Sequence, residues 1–229
     1  MTASSTDHPM LMDKVYRRQR HFYDFTRKYY LLGRDRLIRE MALPDGASVL
    51  EVGCGTARNL IKMAKRYPSA RLYGLDISSE MLRTASAALK RAGLEDRVVL
   101  RCGYAENLCP SLFDRAEPFD AVVFSYSLSM IPDWKQALKS AQNALAVGGK
   151  LHVVDFGDLG GAGLRRRLLR SWLNLFHVEP REELLRTLEA LKSDPCRLQT
   201  LPGRYAFLFQ GGREALPLSP SVLLHTGHS

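Results

Sequence analysis

The sequence has few cysteines, and they do not follow the spacing of a metal site or a disulfide framework. The 229 residues contain 4 cysteines, none in a CxxC pair and none with a histidine at ligand spacing: Cys54, Cys102, Cys109 and Cys196. A chain of this length and apolar content builds a core without cross-links. We therefore expect reduced thiols, no disulfide framework and no metal site.

Long apolar runs are also missing from the sequence. No run reaches the roughly 18–20 residues that a membrane-spanning helix requires. The N-terminal segment MTASSTDHPM contains no apolar stretch of signal-peptide length. We therefore expect a cytoplasmic protein that does not cross a membrane.

Acidic residues are outnumbered by basic ones. The chain has 33 Lys and Arg residues against 24 Asp and Glu residues, which gives a formal net charge of +9 at pH 7. A charge of this sign and size favours an anionic partner. That partner is either nucleic acid or an anionic membrane surface, and the charge alone does not choose between them.

The N-terminal part of the chain combines basic and aromatic residues. Between residues 12 and 41, arginines and lysines are interleaved with tyrosines and phenylalanines at helical spacing. Pro44, Asp45 and Gly46 then form a predicted turn. We predict a helical lid over residues 1–45, built either from two helices around Gly33 or from one bent helix.

Strand-like and helix-like segments alternate after this block. The predicted strands are 47–52, 71–75, 98–101, 119–124 and 150–155, and the predicted helices are 59–67, 78–91, 133–146, 164–176 and 182–191. A predicted hairpin, 197–201 with 205–210, follows them. The alternation predicts an α/β, Rossmann-like fold, with a seven-stranded, mostly parallel sheet, an antiparallel edge hairpin and helices on both faces. We place this core at residues 46–210 and a flexible tail at residues 211–229.

The first predicted strand runs into a glycine-rich turn. Glu51, Gly53 and Gly55 form an ExGxG pattern, and Asp76 ends the second predicted strand. Glycine allows a tight turn and the close approach of a ligand, and an acid at this position accepts the two hydroxyls of a ribose. The pattern predicts a nucleoside site. The alternative is a tight turn without a ligand, with Asp76 capping the next helix.

Three features separate this pattern from a dinucleotide site. Glu51 stands where a dehydrogenase strand usually carries an apolar residue, and Ala57 replaces the third glycine of the dinucleotide motif. The segment from Gly103 to Glu106 adds a polar group suited to an adenine amino group. Together they favour adenosine with a cationic tail over a diphosphate, and they disfavour an NAD-dependent reductase.

With these residues, the sequence resembles the class I S-adenosylmethionine-dependent methyltransferases over about residues 45–210. The resemblance implies S-adenosylmethionine as the cofactor and S-adenosylhomocysteine as the product. It implies that the ExGxG loop lines the methionine part, that the acid after the second strand binds the ribose, and that residues after the third strand flank the adenine. The residues assigned to cofactor binding are Tyr23, Glu51, Gly53, Cys54, Gly55, Asn59, Asp76, Ile77, Met81, Gly103, Ala105, Glu106 and Ser125.

The acceptor is indicated by the end of the fourth predicted strand and by the N-terminal tyrosines. The sequence there is Phe124-Ser125-Tyr126-Ser127, in place of the NPPY or DPPY motif of exocyclic base methylation. The N-terminal aromatic residues are suited to a cage around a methylated ammonium, because the face of an aromatic ring attracts a cation. We assign catalytic or acceptor-contacting roles to Tyr16, Tyr29, Tyr30 and Tyr126.

The blocks YDFTRKYYLLGRD, EVGCGTARNL and HVEPREELL resemble the bacterial betaine-lipid N-methyltransferases. The resemblance implies that the amine of diacylglyceryl-homoserine is methylated successively to the trimethylated betaine lipid. Ubiquinone or menaquinone C-methyltransferases and phosphatidylethanolamine N-methyltransferases share the core pattern and are alternatives. A non-catalytic binding module on the same fold is an alternative of another class.

The expected partner is a lipid substrate at an anionic membrane surface, with neither nucleic acid nor a metal ion. The predicted helix 164–176 mixes arginines with leucines and a tryptophan, as does a helix lying on anionic lipid; the alternative is a solvated surface helix. We expect a cytoplasmic enzyme associated peripherally with the inner membrane. The sequence leaves its oligomeric state open.

Overall fold

A computed structural model of the protein describes residues 31–157, 182–190 and 196–213. The described helices are α1 (Arg34–Glu40), α2 (Arg58–Arg66), α3 (Ser79–Arg91), α4 (Trp134–Asn143) and α5 (Glu182–Ala190). The strands are β1 (Ser48–Val52), β2 (Arg71–Asp76), β3 (Val98–Cys102), β4 (Phe119–Ser125), β5 (Leu145–Phe156), β6 (Arg197–Thr200) and β7 (Ala206–Gly212). They form a seven-stranded sheet in the order β3-β2-β1-β4-β5-β7-β6.

The centre of this sheet is parallel and one end is antiparallel. β1 pairs in parallel with both β2 and β4, while β7 runs antiparallel to both β5 and β6. Every residue of β1 is buried, as expected for a parallel strand that helices cover on both faces. The predicted fold class, including the antiparallel edge hairpin, is confirmed.

Successive strand residues contribute side chains to two separate hydrophobic cores, because side chains alternate between the faces of a sheet. Val49 of β1 belongs to the core on the α1, α2 and α3 face, and Leu50 belongs to the core on the α4 and α5 face. The helices contribute matching apolar stripes, such as Leu60 and Met63 of α2 on the first face. The two cores leave the carboxyl ends of β1, β2 and β4 free to form a site.

Polar side chains begin two of the helices as predicted. The hydroxyl oxygen of Ser78 accepts a 3.3 Å hydrogen bond from the backbone N–H of Met81 at the start of α3. A carboxylate oxygen of Asp133 accepts a 3.0 Å bond from the N–H of Gln136 at the start of α4. Each satisfies a donor that a helix N-terminus otherwise leaves unpaired.

The predicted C-terminal end of the helix 133–146 is wrong. The prediction continued that helix to residue 146, but α4 ends at Asn143 and β5 already begins at Leu145. β5 pairs with β4 through an irregular register, so that Gly148 and Gly149 lie inside an extended, bulged strand and not in a separate turn. A Cβ on Gly149 would lie 3.0 Å from the carbonyl oxygen of Phe119. The backbone of the neighbouring strand therefore leaves no room for a side chain.

The predicted start of the tail is also wrong. Gly211 and Gly212 pair with Leu151 and Lys150 and complete β7, so the sheet continues past residue 210. Glycine-rich composition alone favours a loop. Here the antiparallel pairing with β5 overrides that local preference.

The predicted N-terminal lid is described only from residue 31. α1 begins directly after Gly33, which has a left-handed backbone with φ of +84°. Leu37 and Ile38 of α1 pack into the core on the α2 and α3 face, so the end of the predicted lid is part of the domain.

The predicted helix 164–176 and the predicted N-terminal tyrosines lie outside the described residues. In the part of the chain that is described, no helix is long and apolar enough to span a membrane.

Candidate active site

The loop after β1 requires glycine at Gly53 and leaves space for a ligand at Gly55. Gly53 has φ of +73°, and a Cβ there would lie 2.5 Å from the Cβ of Ser127. Gly55 has φ of +53°, but a Cβ there would meet no atom within 4 Å. Protein packing therefore accounts for Gly53. Gly55 combines a left-handed backbone, which favours glycine, with an open approach from the site.

Asp76 ties this loop to the end of β2. One carboxylate oxygen accepts a 2.8 Å hydrogen bond from the N–H of Gly55. The other accepts a 2.9 Å bond from the N–H of Ser78. Each oxygen of an ionised carboxylate has two acceptor positions. Asp76 can therefore fix the loop and still accept the hydroxyls of a ribose.

Glu51 is the most strongly perturbed acid of the site. Its side chain is 2% exposed, and its Oε1 accepts a 2.7 Å hydrogen bond from the side-chain amide of Asn59. Oε2 is buried and has no hydrogen-bond partner among the described residues. Burial raises the pKa of Glu51 to about 8, although the Asn59 bond and the positive charge of Arg34 act to lower it. The carboxyl group is thus mainly protonated at neutral pH when no cation lies beside it.

These groups surround a cavity of about 270 Å³ at the carboxyl ends of β1 and β4. Six predicted cofactor residues line it: Glu51, Gly53, Cys54, Gly55, Asn59 and Ser125. The hydroxyl oxygen of Ser125 is buried and has no hydrogen-bond partner among the described residues. The structure therefore brings together the predicted ExGxG loop and the end of the fourth strand.

Sequence reasoning missed four residues of the cavity wall: Leu31, Arg34, Thr56 and Arg58. The residue Arg34 is 9% exposed, and the Nε of its guanidinium donates a 3.3 Å hydrogen bond to the carbonyl of Leu31. Arg58 donates to the Oδ1 atoms of Asn59 and Asp35, both at 2.9 Å. The available signal for Arg58 was its position directly after the glycine loop.

The predicted adenine side lies along the neighbouring part of the same edge. Asp76 is in register with Cys102 of β3, and the N–H of Gly103 donates to the carbonyl of Asp76 at 3.0 Å. The short helical turn Ala105–Asn107 follows, with Ala105 buried and Glu106 half-buried. Ile77 precedes α3, and Met81 lies in the first turn of that helix. These residues do not line the 270 Å³ cavity, and their contact with adenine stays a prediction.

Tyr126 is the predicted catalytic residue that the structure describes, and it does not line the cavity. Its side chain is 2% exposed, and its hydroxyl donates a 2.6 Å hydrogen bond to the carbonyl of Leu32. Its ring packs edge-to-face on Phe156 at 4.7 Å between centroids. Burial raises the pKa of Tyr126 far above its ordinary value, so the phenol keeps its proton at neutral pH and is not available as a base. The other tyrosines of the predicted site, Tyr16, Tyr23, Tyr29 and Tyr30, lie outside the described residues.

Comparisons with known proteins agree with this geometry. Residues 49–149 match a methyltransferase domain family. The chain is 30% identical over 195 residues to the ubiquinone/menaquinone biosynthesis C-methyltransferase UbiE of Syntrophotalea carbinolica, covering 81% of this chain and 77% of the relative. This chain belongs to the class I S-adenosylmethionine-dependent methyltransferases.

Other methyltransferases are similar at the same level of identity or in fold. The trans-aconitate 2-methyltransferase of Streptomyces avermitilis is 30% identical over 187 residues, covering 77% of this chain and 68% of the relative. The apo structure of the S-adenosylmethionine-dependent methyltransferase SibL has a TM-score of 0.62 and 23% identity, and the match covers 84% of this chain and 57% of that chain. This structural likeness supports the fold.

The cofactor is S-adenosylmethionine, and the cavity fits it. Its methyl group is bound to a sulfonium, so it is already activated for transfer to a nucleophile. Oε2 of Glu51, which no described residue bonds, suits a cationic group, and the space over Gly55, open with respect to the described residues, admits a ligand close to the backbone. The ribose contact of Asp76 stays a prediction. In this class of enzyme the protein contributes alignment and exclusion of water more than covalent catalysis.

Proposed function

We propose that this methyltransferase successively methylates the amine of diacylglyceryl-homoserine and produces the trimethylated betaine lipid. We propose that it does so at an anionic membrane surface, where the lipid acceptor resides. The sequence blocks shared with betaine-lipid N-methyltransferases support this acceptor, and the net charge of +9 supports the surface.

The charge of the cavity wall carries this proposal. The wall contains two guanidinium groups, from Arg34 and Arg58, and the carboxyl group of Glu51. The methionine part of the cofactor has one carboxylate and one ammonium group. The homoserine head group of the lipid has the same pair of groups. A wall with a second guanidinium therefore suits an acceptor that carries a carboxylate of its own.

The proposed reaction requires little general acid–base catalysis from the protein. The lone pair of the neutral amine forms the new N–C bond while the S–C bond breaks and its electron pair stays on sulfur. Each of the first two methylated products then loses a proton to water before the next transfer. The buried walls at Ser125 and Glu51 keep solvent away from the transfer.

Methylation of a quinol ring carbon is a second candidate, and the similarity to a quinone-biosynthesis C-methyltransferase favours it. A ring carbon becomes nucleophilic when a base removes the phenolic proton. Glu51 is the carboxyl group on the described cavity wall. A quinol carries no carboxylate, so it offers neither cavity guanidinium an anionic ligand group.

Acceptor competition tests the proposal. The protein is incubated with methyl-labelled S-adenosylmethionine and phosphatidylglycerol vesicles that contain diacylglyceryl-homoserine or a demethylated quinol. We expect mono-, di- and trimethylated homoserine lipid by mass spectrometry, with kcat/KM at least about tenfold above that for the quinol, a difference of ~1.4 kcal/mol. Methylation of the quinol alone would establish the second candidate.

Two controls separate the parts of this proposal. Asp76→Ala should lose the label from either acceptor, because it removes the ribose contact. Replacing phosphatidylglycerol with phosphatidylcholine, or adding high salt, should slow the wild-type reaction if an anionic surface recruits the enzyme. Equal rates on the two vesicles would leave the acceptor assignment standing and would refute the anionic surface.

A further inference from the structure

Tyr126 connects the end of β4 to the segment that enters α1. Its hydroxyl donates to the carbonyl of Leu32 at 2.6 Å, and its own N–H donates to the carbonyl of Val154 at 2.7 Å. Its ring lies against Phe156 in the buried core. Both ends of the residue are therefore held, one by the sheet and one by the N-terminal segment.

The segment that Tyr126 holds forms one wall of the cofactor cavity. Leu31 and Arg34 line the cavity on either side of the carbonyl that accepts the tyrosine hydrogen bond. Gly33 lies between them, and a Cβ there would approach Leu201 Cδ1 to 2.8 Å. The segment thus lies between Leu201, Leu208 of β7 and Val154 of β5 on one side and Tyr126 on the other.

The backbone of Tyr126 is itself unusual. Its φ of +56° is in the left-handed region, which a bulky side chain rarely adopts. Such conformations persist where surrounding contacts hold them, and they concentrate at functional sites. A more ordinary φ would turn the ring and its hydroxyl away from Leu32.

We infer that Tyr126 is a positioning residue, which holds the Leu31–Arg34 wall against the cofactor through the carbonyl of Leu32. Leu31 and Arg34 line the cavity from the N-terminal segment, and Ser125 lines it from the end of β4. Tyr126 therefore joins two walls of the cavity without lining it itself. This role is independent of which acceptor the enzyme methylates.

The test is Tyr126→Phe, which removes the hydroxyl and keeps the ring. We expect the Kd for S-adenosylhomocysteine, measured by calorimetry, to rise about 5- to 10-fold, as follows from losing one hydrogen bond. The kcat at saturating cofactor should stay within about twofold, since the phenol takes no part in the transfer. Amide exchange of residues 31–34 should accelerate.

Tyr67→Phe is the matched control. The Tyr67 hydroxyl also donates to a carbonyl of α1, that of Ile38 at 2.7 Å, but neither residue lines the cavity. This variant should keep the wild-type Kd and wild-type exchange at residues 31–34. Because it loses the same kind of bond, it accounts for any general loss of stability.

Two results would overturn the inference. An unchanged Kd in Tyr126→Phe would show that the bond does not position the wall. A fall in kcat of about 100-fold with an unchanged Kd would make Tyr126 catalytic, as the sequence predicted. If Tyr126→Phe does not fold, Gly33→Ala displaces the same wall from the opposite side and should raise the Kd; a wild-type Kd there contradicts the inference.

Discussion

Asn59 donates a 2.7 Å hydrogen bond to Oε1 of Glu51, while Oε2 of the same carboxyl group is buried without a partner among the described residues. Glu51 therefore has one oxygen fixed and one available to a ligand. Its pKa of about 8 results mainly from burial. A cation beside Oε2 favours the ionised form and lowers this pKa.

We expect cofactor affinity to increase with pH up to about pH 8. Below that pH, binding the cationic cofactor must expel the proton of Glu51, so affinity falls by up to about tenfold per pH unit. Calorimetry in two buffers of different ionisation enthalpy measures the released proton. In Glu51→Gln this release should disappear, and any slope that remains belongs to the cofactor's own amine.

Glu51→Gln should stabilise the unliganded protein in alkaline solution. The pKa of Glu51 is raised from 4.5 to about 8 in the folded state. A carboxyl group whose pKa is higher in the folded state contributes stability at pH values below its pKa in the unfolded state. It loses that contribution as the pH rises through its pKa in the folded state. The melting temperature of the wild type should therefore drop relative to Glu51→Gln between pH 5 and pH 8, as differential scanning fluorimetry measures. Parallel curves for the two proteins would contradict the assigned pKa.

Gly55→Ala should weaken cofactor binding more than it weakens folding. A methyl group there meets no protein atom but projects into the open approach to the loop. We expect a Kd increase of about tenfold or more, equivalent to ~1.4 kcal/mol. The control is Gly46→Ala in an exposed turn, which also has a positive φ and open space around the Cβ. Both should lose about 1 kcal/mol of stability from backbone strain, but Gly46→Ala should bind normally.

Arg58→Gln should impair a carboxylate-bearing acceptor. Arg58 and Lys62 both pair with Asp35, but Arg58 alone of the two lines the cavity. If Arg58 holds the homoserine carboxylate, its loss should raise the acceptor KM by about tenfold or more. Lys62→Gln breaks an exposed ion pair, which contributes little, and should leave the KM within about twofold. Equal effects in the two variants would place the role on Asp35 instead.

The core of the site is predictable because its pattern is local. Glu51, Gly53 and Gly55 are close in the chain, and their spacing on a strand followed by a turn places them at one edge of any parallel sheet. Asp76 follows from the same logic, since the next parallel strand ends beside the first. The structure brings all of them to that edge.

The missed residues depend on tertiary packing. Arg34 was one of many arginines in a basic helical block, and nothing in its local sequence distinguishes it from Arg36 or Arg39. Its place on the cavity wall follows from the fold of α1 over α2 and from the Tyr126 bond to Leu32. The position of Tyr126 at the end of the fourth predicted strand makes it a candidate catalyst, and the hydrogen bond from its hydroxyl to the carbonyl of Leu32 is visible only in the folded structure.

The pairing of β1 with β4 has a consequence for biosynthesis. Ser125, the last residue of β4, lines the cavity. The hydroxyl of Ser127, two residues after β4, donates to the carbonyl of Val52, 75 positions earlier in the chain. A nascent polypeptide that has emerged only as far as α3 carries the glycine loop without its opposite wall. The cofactor must then bind after β4 has docked on β1. From that point the bound nucleoside stabilises the folded state against unfolding.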